Sequence, residues 1–364
     1  MIKVLQVFGG LDRGGSETMI MNLYRNINRS EIQFDFVKHV SKKCAYEDEI
    51  LSLGGKIYTA PNYNFINHFS YCKWWEKFFT EHPEYKIIHG HYFTLASVFF
   101  KIAHKFNRAT IGHSHISKFK ITSLKKLLSR LYLLKLAKHS DYCFACSQNA
   151  GEWIFGTRPF TVIKNAIDTK KFTFSDKNRK KIRDEFNLQG KFVLGNIGRL
   201  TIQKNQEFLI DVFAEVHKQN SNSALLIVGV GQLEQKLKEK VKSLGLLESV
   251  IFTGSRGDVP ALLSAMDVFV FPSLWEGLGI VAIEAQTSGL RTICSDTVPR
   301  DAQVTNLVDF VSLNNSAEEW ADSVLKYSCS YERLNMQQDI VNAGYDVKES
   351  AVWLEKFYLE LWYK

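Results

Sequence analysis

Short apolar runs alternate with longer amphipathic stretches along almost the whole chain. A run of four to eight apolar residues bounded by turn residues reads as a strand covered on both faces. Such runs fall at Lys3 to Phe8, Phe34 to Lys38, Lys56 to Ala60, Lys86 to His89, Thr110 to Gly112 and Tyr142 to Ala145. Helical stretches lie between them, the first beginning near Ser16-Glu17. Alternation of this kind predicts an α/β domain built on a parallel sheet. Thr161 to Lys164, followed by Asn165-Ala166-Ile167-Asp168, reads as the end of that domain. The boundary is placed at residue 168, ahead of a polar stretch from Thr173 to Arg183.

A second alternation starts at Lys191 to Ile197. It continues through a helix at Asn205 to Gln219, a strand at Ala224 to Val228, a helix near Gln232 to Leu244, a strand at Val250 to Thr253 and a short helix at Pro260 to Ala265. A strand at Asp267 to Phe271, a helix from Leu278 to the stop signal Gly289 and a strand at Arg291 to Ser295 follow. This is a second doubly wound α/β domain, expected over 169–345. Trp353, Phe357, Tyr358 and Leu361 put an apolar stripe on a last helix, 346–364, expected to pack back toward the first domain, 1–168.

Size agrees with two domains, since 364 residues is long for one core. No apolar stretch approaches the roughly 18 residues that a membrane span needs. The opening Met-Ile-Lys-Val-Leu-Gln-Val-Phe-Gly-Gly is a strand running into a glycine loop, without the features of a signal peptide, so a cytoplasmic location is expected. Six cysteines are scattered through apolar surroundings, as in a reducing compartment. Cys143 and Cys146 form a lone C-x-x-C inside a strand-like run, which reads as two buried thiols rather than half of a metal site.

The net charge of +8 is unevenly spread. Between Glu84 and Asp141 there are eleven Lys or Arg and no acid. Leu124, Leu127, Leu128 and Leu131 take helical spacing within Ser123 to His139, among Lys125, Lys126, Arg130, Lys135 and Lys138. One reading is a core helix with a solvated basic face. The other rests the basic stretch Lys101 to Lys138 on anionic lipid headgroups, at the inner face of the cell membrane. No nucleic-acid-binding module accompanies the charge, so nucleic acid is not an expected partner.

Candidate chemistry gathers at two strand ends of the second domain. After the apolar run Val268 to Phe271, Gly277 and Gly279 leave amides uncovered at a helix start, where free donors and partial positive charge suit an anion. Glu276 lies in that loop, and Glu284, two turns into the helix, can point back over the same opening. After the domain's first strand comes Gly198-Arg199-Leu200-Thr201-Ile202-Gln203-Lys204-Asn205. The planar fork of Arg199 and the point charge of Lys204 could together neutralise a diphosphate. In the first domain Gly14-Gly15 before a helix is a phosphate-compatible turn, but not the G-x-G-x-x-G dinucleotide fingerprint. His89 and His91, and His113 and His115, form two H-x-H pairs at successive strand ends. Four such histidines could suggest zinc.

Glu276 and Glu284, with seven residues between them, resemble the E-x7-E motif of retaining glycosyltransferases of family 4. The G-R-L-x-x-x-K-N pattern from Gly198 to Asn205 resembles the same family and stands in the expected order. Gly9 to Thr18, Asn165 to Asp168 and Phe252-Thr-Gly-Ser-Arg256 extend the likeness over nearly the whole chain. Met21-Asn-Leu-Tyr-Arg and His113-Ser-His115 bring it closest to the capsular and exopolysaccharide branch. The resemblance implies two facing Rossmann-like domains, the GT-B fold, with the donor mainly on the second and the acceptor on the first. It implies that Arg199 and Lys204 hold the donor diphosphate, that Glu284 takes ribose hydroxyls, and that Glu276 with the Leu278-Gly279 backbone holds the transferred sugar. Gly254 and Arg256 fall where the family contacts the nucleobase, Gly14 and Gly15 where it approaches the phosphates, and either His113 or His115 where a histidine lies near the donor sugar. Members work without a catalytic metal, and no D-x-D is present, so no cofactor or metal is expected.

One departure is plain. After Gly289 many members continue Pro-Val-Ile and later Ile-Pro-Glu, whereas this chain reads Leu-Arg-Thr-Ile-Cys-Ser-Asp-Thr-Val-Pro-Arg-Asp. The function implied is transfer, with retention, of a hexose or N-acetylhexosamine from a UDP-sugar to a lipid-linked saccharide in surface polysaccharide synthesis. Its rivals are a nucleotide-sugar epimerase of the same two-domain shape, and a sugar-nucleotide-binding protein without turnover.

Overall fold

The computed structural model describes residues 1–91, 93–115, 138–329 and 331–364. Its strands collect into two wholly parallel sheets. One contains β1 (Ile2–Val7), β2 (Ile32–Lys38), β3 (Ile57–Thr59), β4 (Ile87–Gly90), β5 (Ala109–Ser114), β6 (Tyr142–Ala145) and β7 (Thr161–Val162), in the order β3-β2-β1-β4-β5-β6-β7. The other contains β8 (Phe192–Ile197), β9 (Ser223–Val228), β10 (Val250–Phe252), β11 (Val268–Phe271), β12 (Arg291–Ser295) and β13 (Val308–Val311), in the order β10-β9-β8-β11-β12-β13. Each is a Rossmann-like, doubly wound sheet flanked by helices.

Continuous apolar strands are what such sheets require, because helices cover both faces. Along β1 the side chains alternate between two cores. Val4 packs with Ile20, Tyr24 and Phe34, while Leu5 and Val7 pack with Trp75, Phe79 and Phe99 on the opposite face. The second sheet repeats the device. Val193, Leu226 and Phe269 line one core, and Leu194, Leu225 and Val268 line the other.

The chain divides into a unit of Met1–Ile167 with Gly344–Lys364, and a unit of Asp168–Ala343. The last helix, Val347–Tyr363, starts where the Asp346 side chain accepts from the amides of Lys348 and Glu349. It buries Val347, Ala351, Leu354 and Tyr358, spaced i, i+4, i+7 and i+11, in the first unit's core. The apolar stripe read from the sequence is therefore rotated about the helix axis. Trp353 is 41% exposed and stacks on Phe357, with ring centroids 5.6 Å apart. From 123 to 137 the expected basic amphipathic helix lies outside the described residues.

Several elements depart from the sequence reading. Strand β13, absent from it, is an edge strand of four residues with Asp309 in its middle, too short and mixed to give an apolar run. The polar stretch Thr173 to Arg183 contains the helix Asp176–Glu185, capped by Ser175. That helix is held by charge as well as packing. Asp267 accepts from Arg179 Nη2 on one oxygen and Arg183 Nη2 on the other, both at 2.6 Å, and from the Val193 amide at 2.8 Å. Arg183 also donates to the carbonyls of Ala265, Leu188 and Lys191. Asp267→Ala leaves these buried donors without their anion and is expected to cost about 3 kcal/mol. Chemical denaturation of the whole chain reads this directly, and an unchanged midpoint would contradict it.

Candidate active site

Where strand order reverses in a doubly wound sheet, two neighbouring loops leave in opposite directions and open a crevice at the carboxyl ends of the strands. In the second unit the reversal lies between β8 and β11. The loops that leave there are Gly198 to Asn205 and Pro272 to Gly279, so topology brings the two motifs together. The loops are also bonded to each other. The Leu274 amide donates to the Gln203 carbonyl at 2.8 Å, and Gln203 Nε2 donates to the Trp275 carbonyl at 2.9 Å.

Lys204 Nζ donates to Glu276 Oε1 at 2.6 Å and lies 4.7 Å from the centroid of the Phe271 ring. Its side chain is 16% exposed and that of Glu276 is 8% exposed, so little water screens this pair. Gly198 is the floor beneath it, since a Cβ there would meet Lys204 Cε at 3.1 Å. Arg199, by contrast, is exposed, and among the described residues its guanidinium bonds to none. The crevice thus presents one free cation and one held by a carboxylate that another anion could replace.

The helix Ile280–Thr287 follows the second of these loops. Its N-cap Gly279 sits at φ +83°, a conformation that side chains disfavour. A Cβ there would also press on Phe271 at 3.1 Å and on Val298 at 3.3 Å. Glycine therefore lets the chain turn into the helix here, and Leu278 just before it is buried. Glu284, one turn further, keeps part of its side chain open. Its carboxyl is nevertheless packed away from water, and burial pushes its pKa up to about 8. Among the described residues nothing donates to that carboxyl.

Not every expected residue stands ready for a ligand. Arg256 has its guanidinium occupied by Glu185 at 2.6 Å and Asp258 at 2.8 Å, which fixes the loop after β10 rather than offering a free donor. Gly254, at φ +70° in the same loop, receives the Gly229 amide on its carbonyl at 2.9 Å. Gly229 itself went unremarked in the sequence. A Cβ there would lie 2.0 Å from the Gly198 carbonyl, so only glycine lets the β9 loop press against the β8 loop. Gln203 was also missed, and a side chain that acts by bridging two loops leaves no local pattern.

In the first unit Gly14 and Gly15 open the helix Gly15–Asn26 after β1, with Gly14 as its N-cap. Glu17 reaches back over this end, so that a Cβ on Gly14 would meet its carboxylate, while the space at Gly15 is open. His113 and His115 end β5. His113 is fully buried, and His115 keeps a partly open edge, so His115 is the better placed of the two to meet a ligand.

The raised pKa of Glu284 has a stability consequence with a definite sign. In the unfolded chain the group ionises near 4.5 and in the native chain near 8. It therefore costs native stability progressively as pH rises between those values, and none is lost below them. Relative to wild type, Glu284→Gln is expected to gain thermal stability between pH 5 and pH 8, by a few degrees. A difference in melting temperature that stays constant with pH would contradict it.

The chain is similar to several known proteins along its length. Residues 13–171 match the family described as Glycosyltransferase Family 4, and residues 178–347 match Glycosyl transferases group 1. The putative glycosyltransferase EpsF of Bacillus subtilis is 28% identical over 96% of this chain and 94% of its own. The capsular polysaccharide biosynthesis glycosyltransferase CapH of Staphylococcus aureus is 24% identical over 99% of each. An Escherichia coli enzyme, UDP-Gal:alpha-D-GlcNAc-diphosphoundecaprenol alpha-1,3-galactosyltransferase, is 29% identical over 55% of this chain and 54% of its own. Among solved structures, Anabaena HepE, crystallised with UDP and glucose, superposes with a TM-score of 0.77 at 19% identity over 99% of this chain and 100% of that one. Relatives that match along the whole length are named as transferases, which weighs against the epimerase reading. With family 4 matching its first half and group 1 its second, the chain belongs to the glycosyltransferases of the GT-B fold.

Proposed function

We propose that the chain transfers a hexose or N-acetylhexosamine, with retention of anomeric configuration, from a UDP-sugar to a lipid-linked saccharide in capsule or exopolysaccharide synthesis. The observation that carries the donor half is the crevice between β8 and β11. Arg199, Lys204 and the amides at the start of the helix after Gly279 offer cations and donors to a diphosphate there. Glu276 occupies Lys204 until a phosphate oxygen replaces it, and the released carboxylate turns to hydroxyls of the sugar. Glu284 takes the ribose, and its neutral form at pH 7 can donate as well as accept. UDP as the nucleotide, and a lipid diphosphate as the carrier, are supported by the name of the Escherichia coli relative. EpsF and CapH support the pathway class.

Among the site residues no pair of carboxylates forms a nucleophile and acid. In the proposed reaction the bond from the anomeric carbon to the β-phosphate oxygen breaks as the acceptor oxygen attacks on the same face, and the departing phosphate takes the acceptor proton. Arg199 and Lys204 hold the charge that builds on the diphosphate, an interaction stronger in the transition state than in the bound donor. The residues of this site need no metal for that step. His115 stands as the candidate histidine for the sugar, and Gly14 and Gly15 for the close approach to phosphate. The basic stretch Lys101 to Lys138 would hold the protein against anionic lipid; cosedimentation with phosphatidylglycerol vesicles that persists unchanged in high salt, or is absent in low salt, would argue against it.

Incubating the chain with UDP-hexoses, UDP-N-acetylhexosamines and GDP-mannose, each with and without lipid-linked acceptor, tests the whole reading. Product with a UDP-sugar, dependent on acceptor and of the donor's own anomeric configuration by proton NMR, is expected. An inverted product or preference for GDP-mannose would overturn the corresponding part. Lys204→Ala is expected to lower kcat roughly a hundredfold, the scale of one lost transition-state charge contact, with little change in folding. Turnover near wild type in that variant would remove Lys204 from the mechanism.

A further inference from the structure

The proposed transfer leaves a group of buried imidazoles in the first unit without a task. Strands β4 and β5 run in register, Ile87 beside Ala109 and Gly90 beside Gly112. Side chains two apart share a face, so His89 and His91 come off one strand beside His113 and His115 from the other. His89 Nε2 lies 3.2 Å from His113 Nδ1, and His91 Nδ1 lies 2.9 Å from His115 Nε2. One nitrogen each from His89, His91 and His113 fall within 4.8 Å of one another. All three side chains are buried, and the desolvation of their rings lowers their pKa well below the ordinary value, so they are neutral and keep lone pairs at pH 7.

Hydrogen bonding among the rings does not account for the whole cluster. Gln6 donates through Nε2 to the Tyr358 hydroxyl at 3.2 Å, which turns its carbonyl toward His91 Nε2 at 2.9 Å. His91 then carries its proton on Nε2 and its lone pair on Nδ1, toward the other rings. His89 Nδ1 lies 2.6 Å from the Tyr358 hydroxyl, and in the tautomer that donates Nδ1–H to that oxygen Nε2 turns a lone pair to the interior of the group. His113 Nε2 is buried and has no hydrogen-bond partner among the described residues. None of the partners of these three rings is a carboxylate. The group is thus neutral and oriented from outside by a hydroxyl and an amide carbonyl, and His113 turns its Nδ1 toward His89 Nε2 inside it.

We infer that His89, His91 and His113 form a zinc(II) site with an open fourth position, tying the ends of β4 and β5 together. Zinc takes imidazole nitrogen at about 2.0–2.1 Å in tetrahedral geometry, which puts neighbouring ligand nitrogens about 3.3 Å apart. The 3.2 Å between His89 Nε2 and His113 Nδ1 already has that span. Three imidazoles without thiolate or carboxylate favour zinc and its neighbours over calcium or magnesium. Outer partners that fix the tautomer and aim the ring, here Gln6 and Tyr358, are the usual companions of histidine ligands. The site lies apart from the donor crevice in sequence and takes no part in the transfer step, so its test does not depend on activity.

The full chain without an affinity tag, stripped with chelator and titrated with Co(II), is the probe. Visible d–d bands of tetrahedral intensity that saturate at one equivalent and vanish on adding Zn(II) are expected. His89→Asn and His91→Asn should abolish them, and His217→Asn, in the other unit, should not. Should a histidine variant lose its native circular dichroism, Tyr358→Phe decides, because it keeps all three rings and should weaken cobalt binding by roughly tenfold to a hundredfold. Absence of bands in the wild type at several equivalents, unchanged bands in folded His91→Asn, or unchanged affinity in Tyr358→Phe would each overturn the assignment.

Discussion

The ion pair between Lys204 and Glu276 is the contact on which the candidate site depends. It joins the loop after β8 to the loop after β11 across the point where strand order reverses, in a place too enclosed for water to weaken it much. Removing one partner of such a pair leaves the other charge poorly solvated. An incoming diphosphate can accept the ammonium in place of the carboxylate, and so the exchange keeps charge balanced at each stage. The remaining parts serve this exchange. Gln203 ties the loops together, Gly198 makes room for the lysine stem, and Gly279 lets the chain turn into the helix that follows.

Much of this could be read before any coordinates. Eleven of the strands follow from apolar runs, because a strand covered on both faces must be apolar throughout, and that constraint is local. The motif residues Arg199, Lys204, Glu276 and Glu284 could be found for a related reason, as each follows a predicted strand at a fixed distance. What escaped was non-local. No pattern around Gln203 announces its bond to the Trp275 carbonyl, and nothing around Gly229 announces the Gly198 carbonyl that excludes a side chain there. The helix Asp176–Glu185 reads as linker, since Arg179 and Arg183 look solvated until Asp267 is placed opposite them.

Two residues show how partners in space can change a role read from a motif. Arg256 falls where a nucleobase contact is implied, yet Glu185 and Asp258 already engage its guanidinium. Glu284 falls where ribose hydroxyls are implied, and burial raises its pKa to about 8, so it meets a ligand as an acid at neutral pH. The histidines of the first unit give the converse case. As a sequence they are two H-x-H pairs; register and the hydroxyl of Tyr358, from the far end of the chain, make them one oriented group.

The most direct measurement is a crystal structure of the whole chain with UDP. A β-phosphate oxygen within hydrogen-bond distance of Lys204 Nζ, with Glu276 released from it and Arg199 on the same diphosphate, is the predicted result. A diphosphate bound elsewhere while Lys204 and Glu276 remain paired would contradict the account.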